Sequence, residues 1–212
     1  MLMSLSRLPT FIMFGMLLLM LAFLVSLPAK AFAKPSIKLI STSASTTLPK
    51  AKTGFPHPND PNQLFFVQRT SNANTIVYAA QFDANGELNK RRPVIAYWRR
   101  YAEQGQTMPL RWYERVFGFG VRARRNPKGD GYFVSFNAMR NHTVELRQSG
   151  PFEASLWTRY NNRDFELVYG YLDLDEKSLL PKVDRLRLYT TTKGTRGYFT
   201  HLIAVSGGEY QE

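Results

Sequence analysis

The sequence predicts a mainly β protein, an antiparallel meander closed as a barrel or folded as a sandwich, with one short helix. Three observations carry this. From Leu64 onward, short runs rich in Val, Ile, Thr and aromatics recur, as half-buried pleated segments do. Turn clusters of Gly, Asn, Asp and Pro separate them at strand-length intervals. Only one stretch has room and pattern for a helix, whereas a parallel sheet requires a crossover for each strand pair.

The 212-residue chain opens with an apolar run, Phe11 to Leu27, interrupted only by Gly15 and Ser26 and preceded by Arg7. Pro28 breaks the run and Ala31-Phe32-Ala33 follows. A basic start, an apolar stretch and a small-x-small site read as an export signal over 1–33, cut after Ala33. The alternative is an uncut membrane anchor. As a helix the run spans about 25 Å, just short of a hydrocarbon core, and Lys30, Lys34 and Lys38 beyond it favour the cytoplasmic side. Either reading puts the rest of the chain outside the inner membrane, periplasmic or secreted. Residues 34–63 are rich in Ser, Thr, Lys and Pro and read as a disordered linker, too polar to offset the entropy of ordering. Residues 64–212 then form a single β domain, long enough for a core without staples.

The expected strands are Leu64–Arg69, Thr75–Phe82, Val94–Tyr101, Tyr132–Asn137, Thr143–Gln148, Phe152–Tyr160, Phe165–Leu172, Val183–Thr191 and Tyr198–Val205. The helix is expected over Pro109 to Phe117, with Thr107 as cap and Pro109 in the first turn. Leu110, Tyr113 and Phe117 then share an inward face, and Gly118 ends the helix. Gly118 and Gly120 alternate with bulk, which suits a sharp bend or a close backbone approach. Along Phe152–Tyr160, the face bearing Phe152, Ala154, Leu156, Thr158 and Tyr160 is expected to point inward. The weak apolar face of Val183–Thr191 favours a barrel with some polar interior over a sandwich.

Composition excludes several chemistries. With no cysteine there is no disulfide, thiolate metal site, iron–sulfur cluster or Cys nucleophile. The three histidines, His57, His142 and His201, have no paired metal-ligand spacing, so no metal is expected. No nucleophile elbow, S-x-x-K or Gly-rich phosphate loop occurs, so no cofactor is expected and no catalytic residue stands out. Asp173-Leu174-Asp175-Glu176, the densest acidic cluster, reads as an acidic turn.

Charge is uneven. The net charge is +12, yet Lys90–Lys128 alone carries 11 basic residues against Glu103 and Glu114, while the rest of the folded part is net −2. Nine of the eleven are Arg, whose planar fork suits carboxylates and phosphates. The expected anion-binding surface is Arg91, Arg92, Arg122, Arg124, Arg125 and Lys128. Its partner would be an anionic membrane or envelope polymer rather than nucleic acid, unless the charge serves solubility alone.

Two segments carry a resemblance. One is Leu64-Phe65-Phe66-Val67-Gln68-Arg69-Thr70-Ser71-Asn72-Ala73-Asn74-Thr75-Ile76-Val77-Tyr78. The other is Pro93-Val94-Ile95-Ala96-Tyr97-Trp98-Arg99-Arg100-Tyr101, with Arg115-Val116-Phe117-Gly118-Phe119-Gly120 beyond. Together they resemble a mostly bacterial exported family, domain of unknown function 4833. The resemblance implies an exported domain of this size and supplies no activity. A lipocalin-type, calycin-like barrel is suggested by architecture alone, since the Gly-x-Trp signature is absent.

Within these segments Gln68, Arg69, Asn72, Asn74, Tyr97, Trp98 and Arg100 are the candidate ligand-binding residues. Amides, Arg forks and aromatic faces converging at a barrel mouth suit an acidic headgroup or polar ring. The plainer reading makes Asn72 and Asn74 hairpin-loop residues and Trp98 core. The function expected is an exported binding protein for an anionic or amphipathic small molecule. The alternatives are a hydrolase-like envelope enzyme using Arg69, Arg100 and a tyrosine, or a structural protein docking a partner.

Overall fold

The computed structural model describes residues 36–50, 52, 54–175, 182–192 and 197–206. The export segment read over 1–33 lies outside them. The chain divides into two units, Met1–Lys34 and Pro35–Glu212, and every described element belongs to the second.

Among the described residues there are twelve strands: β1 Ser36–Ser45, β2 Gln63–Arg69, β3 Thr75–Ala80, β4 Val94–Arg100, β5 Gln106–Pro109, β6 Val121–Arg125, β7 Tyr132–Phe136, β8 Met139–Gly150, β9 Glu153–Tyr160, β10 Arg163–Asp175, β11 Lys182–Thr191 and β12 Tyr198–Ser206. The nine strands read from the sequence are all present. One short helix, α1 (Trp112–Glu114), runs into a π-helical turn, Arg115–Phe119. The fold is mainly β, as expected.

The strands form one sheet in the order β5-β4-β3-β2-β10-β9-β8-β7-β6, with β11, β12 and β1 added from β10 in succession. Neighbours are antiparallel except β2 and β10, which are parallel. Glu166 pairs with both Trp157 of β9 and Thr191 of β11, and Tyr169 pairs with both Phe66 of β2 and Tyr189 of β11. A strand residue has one partner per edge. Strands β9 and β2 therefore share one edge of β10, end to end, and β11 takes the other. A register shift between Leu167 and Tyr169 marks the handover. Such a bulge bends a strand and reverses which side chains face inward.

The sheet thus splits into two wings, β2-β3-β4-β5 and β9-β8-β7-β6, that curl to face each other as a half-barrel. Rings meet across the gap: Phe136 of β7 lies 6.0 Å from Phe65 and 5.1 Å from Tyr78, centroid to centroid. Ile76, Val134, Leu146 and Leu156, all fully buried, belong to this inner core.

Strands β2 and β3 are buried on both faces, so the outer face needs a cover. It carries Phe66, Val77, Tyr169, Tyr171 and Tyr189, with Tyr169 stacked on Phe66 at 4.9 Å and on Tyr189 at 4.1 Å. Residues 46–50 and 54–62 supply that cover. His57 packs on Phe66 and Tyr169. Gln68 Nε2 donates to the Pro56 carbonyl at 2.7 Å, and the Tyr169 hydroxyl donates to that of Pro49. Asp60 takes the Arg99 guanidinium as an ion pair and the Tyr97 hydroxyl at 2.8 Å.

The structure corrects the sequence reading here. Of the stretch read as a disordered linker, 34–63, Ser36–Ser45 is strand β1, paired with β12, and residues 46–50 and 54–62 belong to a strap. The polar strap buries little of its own, but it covers aromatic surface supplied by the sheet and pairs its carboxylate. The helix is also corrected. Pro109 and Thr107 belong to β5, paired with Tyr97 and Arg99, and helical backbone starts only at Trp112. The later start and the π turn change the phase, so Leu110 is buried while Tyr113 and Phe117 point outward. On β9, Leu156 and Thr158 face inward as expected, but Phe152 precedes the strand in a turn and is exposed.

Of the two glycines, Gly120 is the one the backbone requires. A Cβ there would lie 2.0 Å from the Arg115 carbonyl oxygen, whereas one at Gly118 meets nothing within 4 Å. Gly120→Ala should cost about 1–3 kcal/mol and Gly118→Ala less than about 0.5 kcal/mol, read by urea denaturation. Asp60→Ala strands Arg99 and frees the strap. Because the Asp60 side chain is only 6% exposed, the loss should be about 3 kcal/mol, with faster protease nicking within residues 46–62.

Candidate functional site

Between the wings lies a cavity of about 370 Å³. Its wall is mostly apolar, with Phe65 and Val67 from β2, Val144 from β8, Leu167 from β10, Leu188 from β11 and Ile203 from β12. Period-two alternation aims these side chains inward. Four side chains with polar groups join them: Arg69, Tyr78, His142 and Tyr160. Phe117, Gly118 and Phe119 of the helical turn border it. A concave apolar space with few convergent polar groups suits an amphipathic small molecule.

The polar side of the wall has its own network. His142 Nε2 lies 3.1 Å from Thr158 Oγ1, and its ring stacks on Tyr160 at 5.9 Å. Tyr160 packs in turn on His201 at 4.9 Å. His201 is wholly buried between Thr190 Oγ1, 2.9 Å from Nε2, and Thr42 Oγ1, 3.0 Å from Nδ1. A neutral imidazole donates at one nitrogen and accepts at the other, and a threonine hydroxyl answers either. Burial lowers the His201 pKa to about 4 and lowers that of His142, and it pushes the Tyr160 hydroxyl up to about 12.

A second opening, wider and polar, lies on the outer face beside the strap, with Asn59, Gln63, Trp157, Asp164 and Glu166 in its wall. Its charges are largely paired. Arg147 bridges Glu145 and Asp164, and Arg159 holds Asp164. Hydrogen bonding from Arg159, with help from Arg147, lowers the Asp164 pKa, while burial raises that of Glu166. Among the described residues no group of three His, Asp or Glu stands close enough to hold a metal ion. Asp173 of the acidic cluster pairs with Arg187.

The candidate ligand residues divide between the two faces of the sheet. Arg69 and Trp98 come together on the inner side, the guanidinium 4.9 Å from the indole centroid. Trp98 is core, and its indole N–H donates to Glu114 Oε2 at 3.1 Å. Arg100 shares the inner side of β4 but pairs with Glu103. Gln68 and Tyr97 point to the outer side and hold the strap. Asn72 Oδ1 accepts the Asn74 N–H at 3.0 Å, and Asn74 Oδ1 accepts the Ala102 N–H at 2.9 Å, so both build the loop beside the β4–β5 turn.

The basic residues are spread along the molecule. Arg122, Arg124 and Arg125 are exposed on β6, the end strand of one wing. Arg91 and Arg92 follow the loop that meets β8 through Gln148, and their backbone N–H groups bond Asn89 Oδ1. Lys128 lies in the β6–β7 turn, its N–H on Asn126 Oδ1. Sequence reasoning missed the cavity wall, the His142–Tyr160–His201 row and the strap's Asp60. Alternation marks the first, but nothing local marks the others.

Fold and cavity define a mainly β half-barrel with an apolar cavity between its wings. The chain belongs to the family described as Domain of unknown function (DUF4833), whose model matches residues 65–198. No curated protein and no solved structure matches it.

Acid should loosen this fold through His201. Its pKa in the fold is below the ordinary 6.5, so the stability it confers is complete above pH 6.5 and is lost as pH falls toward 4. The loss amounts to about 3 kcal/mol. The melting temperature should therefore fall more steeply between pH 7 and 4.5 for the native protein than for His201→Gln. Glu166, whose raised pKa acts in the opposite direction, is common to both and cancels.

Proposed function

We propose that this protein is an exported binding protein that holds an anionic amphipathic small molecule between its wings, with its basic edge turned to the cell envelope. The observation that carries the reading is the 370 Å³ apolar cavity with Arg69, His142 and Tyr160 in its wall. The apolar body of an acyl-type ligand fills the space between Phe65, Leu167 and Ile203. Arg69, held over Trp98, takes the acidic end through charge-assisted hydrogen bonds. Export rests on the N-terminal apolar run and its small-x-small site. Among the described residues no helix is long and apolar enough to cross a membrane.

Binding is preferred to catalysis on the same geometry. His201 is wholly buried between Thr42 and Thr190, away from the cavity wall, so its imidazole is spent within the fold. Of the two arginines invoked for a hydrolase, Arg100 pairs with Glu103 and does not join Arg69 in the cavity wall.

Titration with a dansyl-tagged medium-chain fatty acid tests this. Binding should be saturable and one-to-one. Arg69→Met should weaken it about tenfold, the loss of one charge-assisted contact, and should leave the corresponding alcohol unaffected. Val144→Trp, which fills the cavity, should abolish both. Equal binding by all three proteins would sink the reading. Native mass spectrometry of protein taken from its own envelope fraction should show a bound mass of the same class.

A further inference from the structure

Among the described residues six large apolar side chains stand exposed, and five of them lie between Met108 and Phe117. Trp112 is 67% exposed and Phe117 72%. Soluble proteins scatter such residues singly, and a contiguous cluster marks an interaction surface. Ring contacts join the cluster, Trp112 lying 6.0 Å from Tyr113 and 6.3 Å from Phe117.

The segment is fastened from beneath. Glu114 Oε2 accepts the Arg111 N–H at 2.8 Å and the Trp98 indole N–H at 3.1 Å. Asn137 Nδ2 donates to the Arg115 carbonyl at 2.7 Å, and the Ala138 N–H donates to that of Gly118 at 3.0 Å. These bonds hold the aromatics outward, so their exposure is built into the fold.

Cations flank them. Arg111 and Arg115 are exposed on the same turn, and β6 leaves it at Val121 carrying Arg122 and Arg124, also exposed. The two acids of the Lys90–Lys128 window are engaged, Glu103 by Arg100 and Glu114 by Trp98. Arginine beside tryptophan and phenylalanine suits the surface of an anionic bilayer, where phosphates meet an apolar phase. A soluble polyanion satisfies the arginines alone and leaves Val116 and Phe117 in water.

We propose that the segment from Trp112 to Phe117 is a membrane wedge. Trp112 and Phe117 enter the headgroup boundary of an anionic bilayer while Arg111, Arg115, Arg122 and Arg124 meet lipid phosphates. The wedge rests on the reading that the basic edge faces the envelope and does not depend on what the cavity holds.

The test uses residues 34–212, since Pro35–Glu212 forms a compact unit by itself, in co-sedimentation with phosphatidylglycerol–phosphatidylcholine vesicles and with phosphatidylcholine alone. The protein should bind the anionic vesicles and be released by salt. Trp112→Ser with Phe117→Ser should weaken binding at least about tenfold. Arg122→Ser, Arg124→Ser and Arg125→Ser together should weaken it about a hundredfold. Trp112→Phe should keep most of the affinity and lose the blue shift of tryptophan emission on binding. All these side chains are exposed, and circular dichroism checks that each variant folds. Native-like binding by the Trp112/Phe117 double variant would overturn the wedge and leave the basic-edge reading standing. Failure to bind any vesicle, with or without binding to a soluble anionic polysaccharide, would overturn the bilayer as partner.

Discussion

Strand β10 gives one edge to two partners in succession, β9 along Arg163–Glu166 and β2 along Tyr169–Leu172. The strand bulges between these stretches. Leu167 faces the inner core before the bulge, and Leu172 and Leu174 line the cavity after it. Gly170 also faces inward, where a Cβ would sit 3.2 Å from both Leu186 and Phe65. Two sheets hung from one edge must diverge, and each carries an apolar face that water penalises. They close on each other, but rings the size of Phe65, Tyr78 and Phe136 hold them apart where the wall residues fall short. The cavity is the space left at the fork. The outer aromatic face is a second result of the same junction, because β2 now stands centrally and is buried on both sides.

The strands from Leu64 onward were legible because each is a local pattern of β-formers ended by turn residues. β5 and β6 were not. Gln106–Pro109 is exposed throughout, and Val121–Arg125 is three-fifths arginine and almost wholly exposed. Both are end strands, held by a neighbour's backbone, so their side chains carry no apolar signal. β1 carries Ile37, Leu39 and Ile40, but this short run was masked by the Ser, Thr, Lys and Pro around it. The strap was hidden differently. Its Pro and Thr content argues for disorder, and only the aromatic face beneath it reverses that argument. The Asp60–Arg99 pair crosses a separation of 39 residues that no window along the sequence detects.

The candidate site shows what alternation settles and what it leaves open. Gln68 and Arg69 are adjacent on one strand, as are Tyr97 and Trp98, so period-two geometry sends each pair to opposite faces. Grouping all four at one mouth overlooked that rule. Arg69 with Trp98 survives as an inner pair, because register places β4 two strands from β2. The row of His142, Tyr160 and His201 draws on three strands, β8, β9 and β12, and pairing order alone brings them together. The basic window was legible as charge, but its spread over a loop, a helix and an end strand was not.

Phe117 joins the two surfaces of the helical turn, since it is 72% exposed and also borders the cavity. Phe119, two residues on, packs inward on Trp98 at 5.6 Å. The turn is one layer thick at this point, with the cavity on one side and solvent on the other. An amphipathic ligand held in the cavity is poorly soluble, and its passage through water costs the apolar transfer energy that the cavity recovers. If the outer side of the turn rests in a bilayer, the route from lipid to cavity passes Phe117 and avoids that cost. The two proposals are separable by experiment but share this residue, and their compatibility follows from it. A wedge placed elsewhere on the edge would dock the protein without bringing its cavity to the membrane.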